Sequence, residues 1–156
     1  MNKPSTEIEA KFEVKSFKEI KQKLRKLGAK NLGRHLEHNE FFDFPDKKLG
    51  KKRNGLRLRK TNKTILTFKG RAFLQKNIMK REELELQVEN FDTMKKIFER
   101  LGLKSWLAYK KYRTTYKISG AEIVLDELPF GKFLEIEGSK KKIVQIAKKL
   151  GLDLTN

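Results

Sequence analysis

The sequence predicts an α+β fold, with about eight strands in a largely antiparallel sheet and about three helices packed outside it. Two observations support this. Short segments that alternate charged and apolar side chains run in pairs between helical stretches, as antiparallel neighbours do. And "EIEAKFEVKSFKEIKQKLRKLG", "ELELQVENFDTMKKIFERLG" and "EIEGSKKKIVQIAKKLG" each run Glu-x-Glu, then a helical stripe, then Leu-Gly.

The elements follow in chain order. Residues 6–14 form a strand. "SFKEIKQKLRKLG" (16–28) reads as a helix with the stripe Phe17, Ile20, Leu24 and Leu27. Ser16 and Glu19 match a capping box, and Gly28 suits the left-handed position after a helix end. Strands are expected at 35–44, 56–61 and 63–69, with "TNK" (61–63) as a hairpin turn. Residues 70–79 read as a loop and 80–89 as a strand. "FDTMKKIFERLG" (91–102) is a helix with Phe91, Met94, Phe98 and Leu101 on one side. Strands at 105–119 and 121–128 meet at the turn "SGAE" (119–122), and 132–138 follows. "SKKKIVQIAKKLG" (139–151) closes the chain with the stripe Ile143, Ile146, Ala147 and Leu150. Residues 1–156 are expected to form a single domain, long enough to bury about two-thirds of the unfolded surface.

Composition narrows the function classes. The chain has no cysteine, which excludes disulfides and thiolate metal sites. No apolar run approaches the ~18 residues of a membrane span, and "MNKPSTEIE" lacks the apolar core of a leader. A cytoplasmic protein is expected. The net charge of +18 attracts polyanions, through either a diffuse basic surface or one convergent site.

Strand parity favours convergence. Successive side chains in a strand point to opposite faces. Glu7, Glu9 and Lys11 oppose Ile8, Ala10 and Phe12. Arg57 and Arg59 oppose Leu56 and Leu58, and Thr67 and Lys69 oppose Leu66 and Phe68. Arg81, Glu83 and Glu85 oppose Leu84, Leu86 and Val88. Lys111, Arg113 and Thr115 share a face. Asp126 faces with Glu122 and Val124, and Glu135 and Glu137 oppose Leu134 and Ile136.

One wet sheet face explains any single strand. Across all of them, helices covering the apolar faces would turn the charged faces inward, in a barrel of about eight strands able to hold a small ligand. Dense mixed charge there requires pairing, hydration or a ligand. Carboxylates suit Mg²⁺ or Mn²⁺, and Arg and Lys suit phosphate oxygens. Together they describe a site for a metal–polyphosphate complex.

These residues resemble the CYTH family of triphosphate tunnel metalloenzymes. The matching motifs run in order along nearly the whole chain: Glu7-x-Glu9-x-Lys11, Arg57-x-Arg59, "LTFKG" with Lys69, Arg81-x-Glu83-x-Glu85, Lys111-x-Arg113, the late Asp126, and Glu135-x-Glu137. The resemblance implies an eight-stranded antiparallel tunnel that binds triphosphate with Mg²⁺ or Mn²⁺. By the same resemblance Lys11, Arg57, Arg59, Lys69, Arg81, Lys111 and Arg113 hold the triphosphate, and Glu7, Glu9, Glu83, Glu85, Asp126, Glu135 and Glu137 hold metal. Lys111 is the candidate to orient or deprotonate the attacking water, its pKa lowered by Arg113 and Arg59.

Family members include inorganic, thiamine and RNA triphosphatases and class IV adenylyl cyclases. Hydrolysis of a terminal phosphate is the first expectation. Cyclisation of ATP to cyclic AMP and pyrophosphate is the alternative. It needs a base-and-ribose pocket, for which 35–55 supplies polar and aromatic residues, and His35…Asn39…Phe42-Asp43 with "ELPFGKFLEIEG" resembles class IV cyclases. A basic RNA-binding module or an RNA 5′-triphosphatase is the second alternative. The expected partner is a small triphosphate or an RNA 5′-triphosphate, with no membrane, and the assembly a monomer or homodimer. His35 and His38 fall on opposite faces and read as surface or cap residues. Trp106 and Tyr109 read as core or cover residues, with adenine stacking as the alternative, and "DKKLGKKRNG" as a solvated loop with the alternative of a lid.

Overall fold

The computed structural model describes residues 5–155; residues 1–4, read above for a leader, lie outside them. Alternation produces strands and the 3.6-residue stripes produce helices. In order these are β1 (Thr6–Val14), α1 (Lys18–Lys26), β2 (Lys30–Asp43), α2 (Lys48–Lys51), β3 (Gly55–Lys60), β4 (Thr64–Lys69), β5 (Phe73–Gln75), β6 (Ile78–Val88), α3 (Phe91–Arg100), β7 (Lys104–Ile118), β8 (Ala121–Leu128), β9 (Gly131–Glu137) and α4 (Lys140–Leu150). The strand order is β1-β9-β8-β7-β2-β3-β4-β6-β5, and β1 also pairs with β6. Eight strands therefore close into an antiparallel β-barrel with β5 outside it, as the sequence predicted. No helix among the described residues is long and apolar enough to cross a membrane.

The described chain divides into two compact units. One comprises residues 5–6, Glu37–Ala72 and Arg81–Lys110; the other comprises Glu7–Leu36, Phe73–Lys80 and residues 111–155.

In the first unit β3 pairs with β2 and with β4, and β4 with β6. Its core is Phe42, Leu58, Phe91, Phe98 and Leu103, with the Phe42 and Phe98 rings 5.1 Å apart. The Asn90 side chain caps α3 by accepting from Thr93 N at 2.8 Å. The stripe on α3 ends differently from its expected form. Leu101 lies past the helix and is 66% exposed, while Leu103 turns back, its N–H bonded to Phe98 O, and is buried.

The second unit holds the larger core. β1, β9, β8 and β7 pair in that order, and their apolar parity (Ala10, Phe12, Leu134, Ile136, Ile123, Leu125, Tyr116) packs with Ile20 and Leu24 of α1 and Ile143, Ile146, Ala147 and Leu150 of α4. Ser139 caps α4 through Lys142 N, and Gly151 ends it at φ 72°, which glycine tolerates best. The predicted capping box on α1 does not form. Phe17 is the N-cap, and the Ser16 hydroxyl accepts only from Lys18 N. Many lysines on α1 and α4 are exposed, including Lys18, Lys21, Lys140, Lys148 and Lys149, so part of the positive charge is a solvated surface.

Two more segments differ from expectation. Residues 70–79 are not all loop: Phe73–Gln75 pairs with Ile78–Lys80 through a turn with Lys76 at φ 56°. Within "DKKLGKKRNG", the short helix α2 lies between Lys47 and Arg53, both at φ 59°.

Candidate active site

Antiparallel register sets directly opposed residues on one face of a sheet. In the first unit this builds a charged wall in rows. One row is Phe41, Arg57, Thr67 and Glu85; the next is Gly55, Lys69 and Glu83; a third joins Asn39 to Arg59. Arg57 is buried, donates from Nη2 to Thr67 Oγ1 at 3.3 Å and lies 3.9 Å from Glu85 Oε1. Lys69 Nζ donates to Glu83 Oε1 at 2.7 Å, and Arg81 Nε lies 3.4 Å from the same oxygen. Arg59 Nε lies 3.4 Å from Glu37 Oε1 and 3.4 Å from Asn39 Oδ1. Burial and the adjacent Arg59 bring the Arg57 pKa down to about 10, against the opposing pull of Glu83 and Glu85. Burial, with Arg57 and Arg81 nearby, brings Lys69 to about 8, although Glu83 favours its charge.

This wall is suited to an anion and a cation together. Arg57 Nε is a buried donor with no hydrogen-bond acceptor, a costly state that a phosphate oxygen would relieve. Glu83 and Glu85 offer carboxylate oxygens within 4.8 Å of each other, hard donors of the kind Mg²⁺ and Mn²⁺ take.

The second unit carries a matching set. Asp126 on β8 opposes Arg113 on β7. Arg113 donates from Nε and Nη2 to the two Asp126 oxygens, each at 2.7 Å, and Lys111 Nζ donates to Oδ2 at 2.9 Å. Arg113 Nη2 also reaches Glu135 Oε2 at 3.5 Å, while Lys11 Nζ lies 3.4 Å from Glu135 Oε1 and 5.1 Å from the Phe133 ring centre. Glu9, Glu137 and Glu122 form one row across β1, β9 and β8. Glu7 is buried two residues before Glu9. Burial raises the Asp126 pKa, but Arg113 and Lys111 outweigh it and hold the carboxyl below its ordinary range. Burial, then Arg113, lowers Lys111 against the pull of Asp126 and Glu135.

Thus Arg57, Arg59, Lys69, Arg81, Glu83 and Glu85 share one face in the first unit. Lys11, Lys111, Arg113, Asp126, Glu135, Glu9 and Glu137 share one in the second, with Glu7 on the same strand and parity as Glu9.

A family model described as the CYTH domain matches residues 5–152. The chain belongs to the CYTH family. A Methanocaldococcus jannaschii protein named "putative adenylate cyclase" is 30% identical over 135 residues, covering 85% of this chain and 77% of that protein. The structure of the PH1012 protein from Pyrococcus horikoshii is similar at TM-score 0.81 and 34% identity, over 94% of this chain and 91% of that one. A Hippeastrum "putative adenylyl cyclase", described as having a dominant triphosphatase activity, shares the fold at TM-score 0.73 and 22% identity, over 94% and 88% of the two chains.

Within this CYTH chain, sequence reasoning did not single out Glu37, and it named Asn39 only within the cyclase-like pattern and not as a partner of Arg59; the two are 2% and 0% exposed and both lie beside Arg59. Their signal was the alternation Glu37, Asn39, Phe41, which extends the charged parity into β2. His38 packs edge-on against Phe91 at 5.5 Å, with Nε2 3.6 Å from Glu40, and His35 is exposed. Trp106 is not core: it is 64% exposed.

Proposed function

We propose that this CYTH protein is a metal-dependent triphosphatase that removes the terminal phosphate of a triphosphate. The observation that carries the proposal is the wall in which buried Arg57 and half-buried Lys69 alternate with Glu83 and Glu85, with Arg57 Nε left as an unused donor. Cations alone would suit any polyanion. Interleaved carboxylates repel phosphate unless a metal ion intervenes, which disfavours a simple RNA-binding surface.

In this reading Arg57, Arg59, Lys69, Arg81, Lys11, Lys111 and Arg113 hold phosphate oxygens inside a tunnel. Glu83 and Glu85, joined by Glu7 and with Glu9, Glu135 and Glu137 in reserve, hold Mg²⁺ or Mn²⁺. A bound ion would neutralise phosphate charge and orient the attacking water. The water oxygen bonds to the terminal phosphorus as its bond to the bridging oxygen breaks. Orthophosphate and a diphosphate leave. Lys111 in its neutral form accepts the water proton, which its lowered pKa favours. Asp126 gives both oxygens to Lys111 and Arg113, so its part is to orient Lys111.

The competing reading is cyclisation of ATP, which the name of the M. jannaschii relative favours. Product analysis decides between them. The protein is incubated with ATP, tripolyphosphate and thiamine triphosphate, each with Mg²⁺ or Mn²⁺. Orthophosphate release, lost on chelation, supports hydrolysis. Cyclic AMP with pyrophosphate overturns it in favour of the cyclase. Salt-sensitive RNA binding without any triphosphate turnover overturns both.

A further inference from the structure

Arg57 Nε is not alone as a buried donor without an acceptor. Asn39 lies on β2 in register with Arg59 of β3, two residues before Phe41, which is in register with Arg57. Its parity is therefore that of the cations on the wall. It is 0% exposed, and its Oδ1 accepts from Arg59 Nε at 3.4 Å. That contact decides which way the amide points, because Arg59 Nε can only donate and must face the oxygen. The amide nitrogen is left over, and Nδ2 finds no acceptor among the described residues.

Holding Arg59 does not account for Asn39. Glu37, two residues earlier on the same strand and parity, already places Oε1 3.4 Å from Arg59 Nε. A leucine would fill nearly the same space at Asn39 and strand no donor, whereas a buried amide donor left unpaired is costly. Asn39 and Arg57 are diagonal neighbours across β2 and β3, so two stranded donors lie on adjacent rows of one face. Beyond Arg59 the same row continues with Ile65 on β4 and Gln87 on β6. The β6 carboxylates Glu83 and Glu85, which suit a metal ion, therefore stop one row short of Asn39. An anion oxygen beside Asn39 meets a neutral donor and Arg59, with no β6 carboxylate in the row to repel it.

We infer that Asn39 is a further substrate-binding residue, whose Nδ2 donates to a phosphate oxygen of the bound triphosphate next to those held by Arg57 and Arg59. Glu37 is then the residue that positions Arg59. The amide adds no charge. It fixes the place of an oxygen whose charge the arginines balance. This rests on the triphosphate-binding reading above and adds a residue to that site.

Two variants separate a substrate contact from a brace for Arg59. Asn39→Leu removes donor and acceptor at similar volume. Asn39→Asp keeps an oxygen for Arg59 and puts a second oxygen where the donor was. Affinity for the β,γ-imido analogue of ATP with Mg²⁺ is measured by calorimetry, and the ligand-free unfolding midpoint is read in urea. Asn39→Leu should weaken the analogue by about tenfold, the scale of a lost bond to a charged group. Its midpoint should equal or exceed that of the wild type, because a stranded donor is gone. Asn39→Asp should weaken the analogue at least as much, because a carboxylate oxygen then faces a phosphate oxygen. Wild-type affinity in either folded variant overturns the contact and leaves the triphosphatase reading standing. So does a weakened affinity in Asn39→Leu that comes with a lowered midpoint, which marks Asn39 as a brace. Failure of the wild type to bind the analogue overturns the triphosphate reading and the inference with it.

Discussion

Lys111 Nζ and Asp126 Oδ2 are 2.9 Å apart on neighbouring strands, and both side chains are buried. The contact fixes where a lysine amine sits while burial and Arg113 work against its charge. An amine held in this way is suited to proton transfer. Lys111→Ala should lower turnover of a triphosphate by about 10²–10⁴-fold, the range for a positioned acid or base. Its binding, measured by calorimetry, should stay within a few-fold because Arg57 and Lys69 remain. Near-normal turnover would remove Lys111 from the mechanism.

The same contact predicts an asymmetry in stability. Asp126 is the shared anion for buried Lys111 and half-buried Arg113, with three donor bonds on two oxygens. Asp126→Ala leaves both cations without it, a change that costs about 3–5 kcal/mol when a buried pair is broken. Lys111→Met removes one cation and leaves the Arg113–Asp126 fork in place. Urea unfolding at neutral pH should therefore rank Asp126→Ala well below Lys111→Met. Equal loss in the two variants would mean that the pairing does not hold the strands.

Metal should depend on β6. Glu85→Gln removes one of two close carboxylates and leaves the Lys69–Glu83 and Arg81–Glu83 pairs intact. Calorimetric Mn²⁺ affinity should fall by at least about tenfold, equivalent to about 1.4 kcal/mol, with little change in unfolding midpoint. Unaltered Mn²⁺ affinity would place the ion elsewhere.

The parts of this molecule that were legible in sequence share one cause. Where a strand has a core on one side, as in Thr6–Val14, apolar residues alternate with charged ones and the register follows. Residues 30–34 of β2 are exposed throughout, so no burial imposes a period on "KNLGR" and its strand character was invisible. The hairpin at Lys76 was equally silent, because a left-handed turn made by lysine leaves no glycine to mark it. Ser16 and Glu19 gave the spacing of a capping box, but buried Phe17 occupies the N-cap instead. At the site, residues that alternate within one strand could be grouped by parity. The pairing of Glu37 with Arg59 required knowing which strands lie side by side. Trp106 was read as core or cover because its type suggests burial; its exposure excludes the core reading.

Asp43 sets a last expectation, for the basic loop that follows it. Its carboxylate accepts from the backbone N–H groups of Phe44 at 2.7 Å, Leu49 at 2.9 Å and Gly50 at 2.9 Å. Lys47 and Arg53 bracket the loop in left-handed conformations, which cost roughly 1–2 kcal/mol for a residue with a side chain. Three bonds to an ionised carboxylate offset that strain. Burial raises the Asp43 pKa, but the three N–H groups outweigh it and hold the value below the ordinary 3.8. A carboxyl with a lowered folded pKa contributes stability that is present above its unfolded pKa and is lost as the pH falls through the folded value. Asp43→Asn turns one acceptor into a donor facing the same N–H groups. It should cost about 1–3 kcal/mol at pH 7 and speed tryptic cleavage between Lys47 and Arg53. The stability gap between wild type and Asp43→Asn, read from urea unfolding at several pH values, should narrow as the pH drops below about 3.8. A gap that stays constant into strong acid would show that the ionised carboxylate is not what holds the loop.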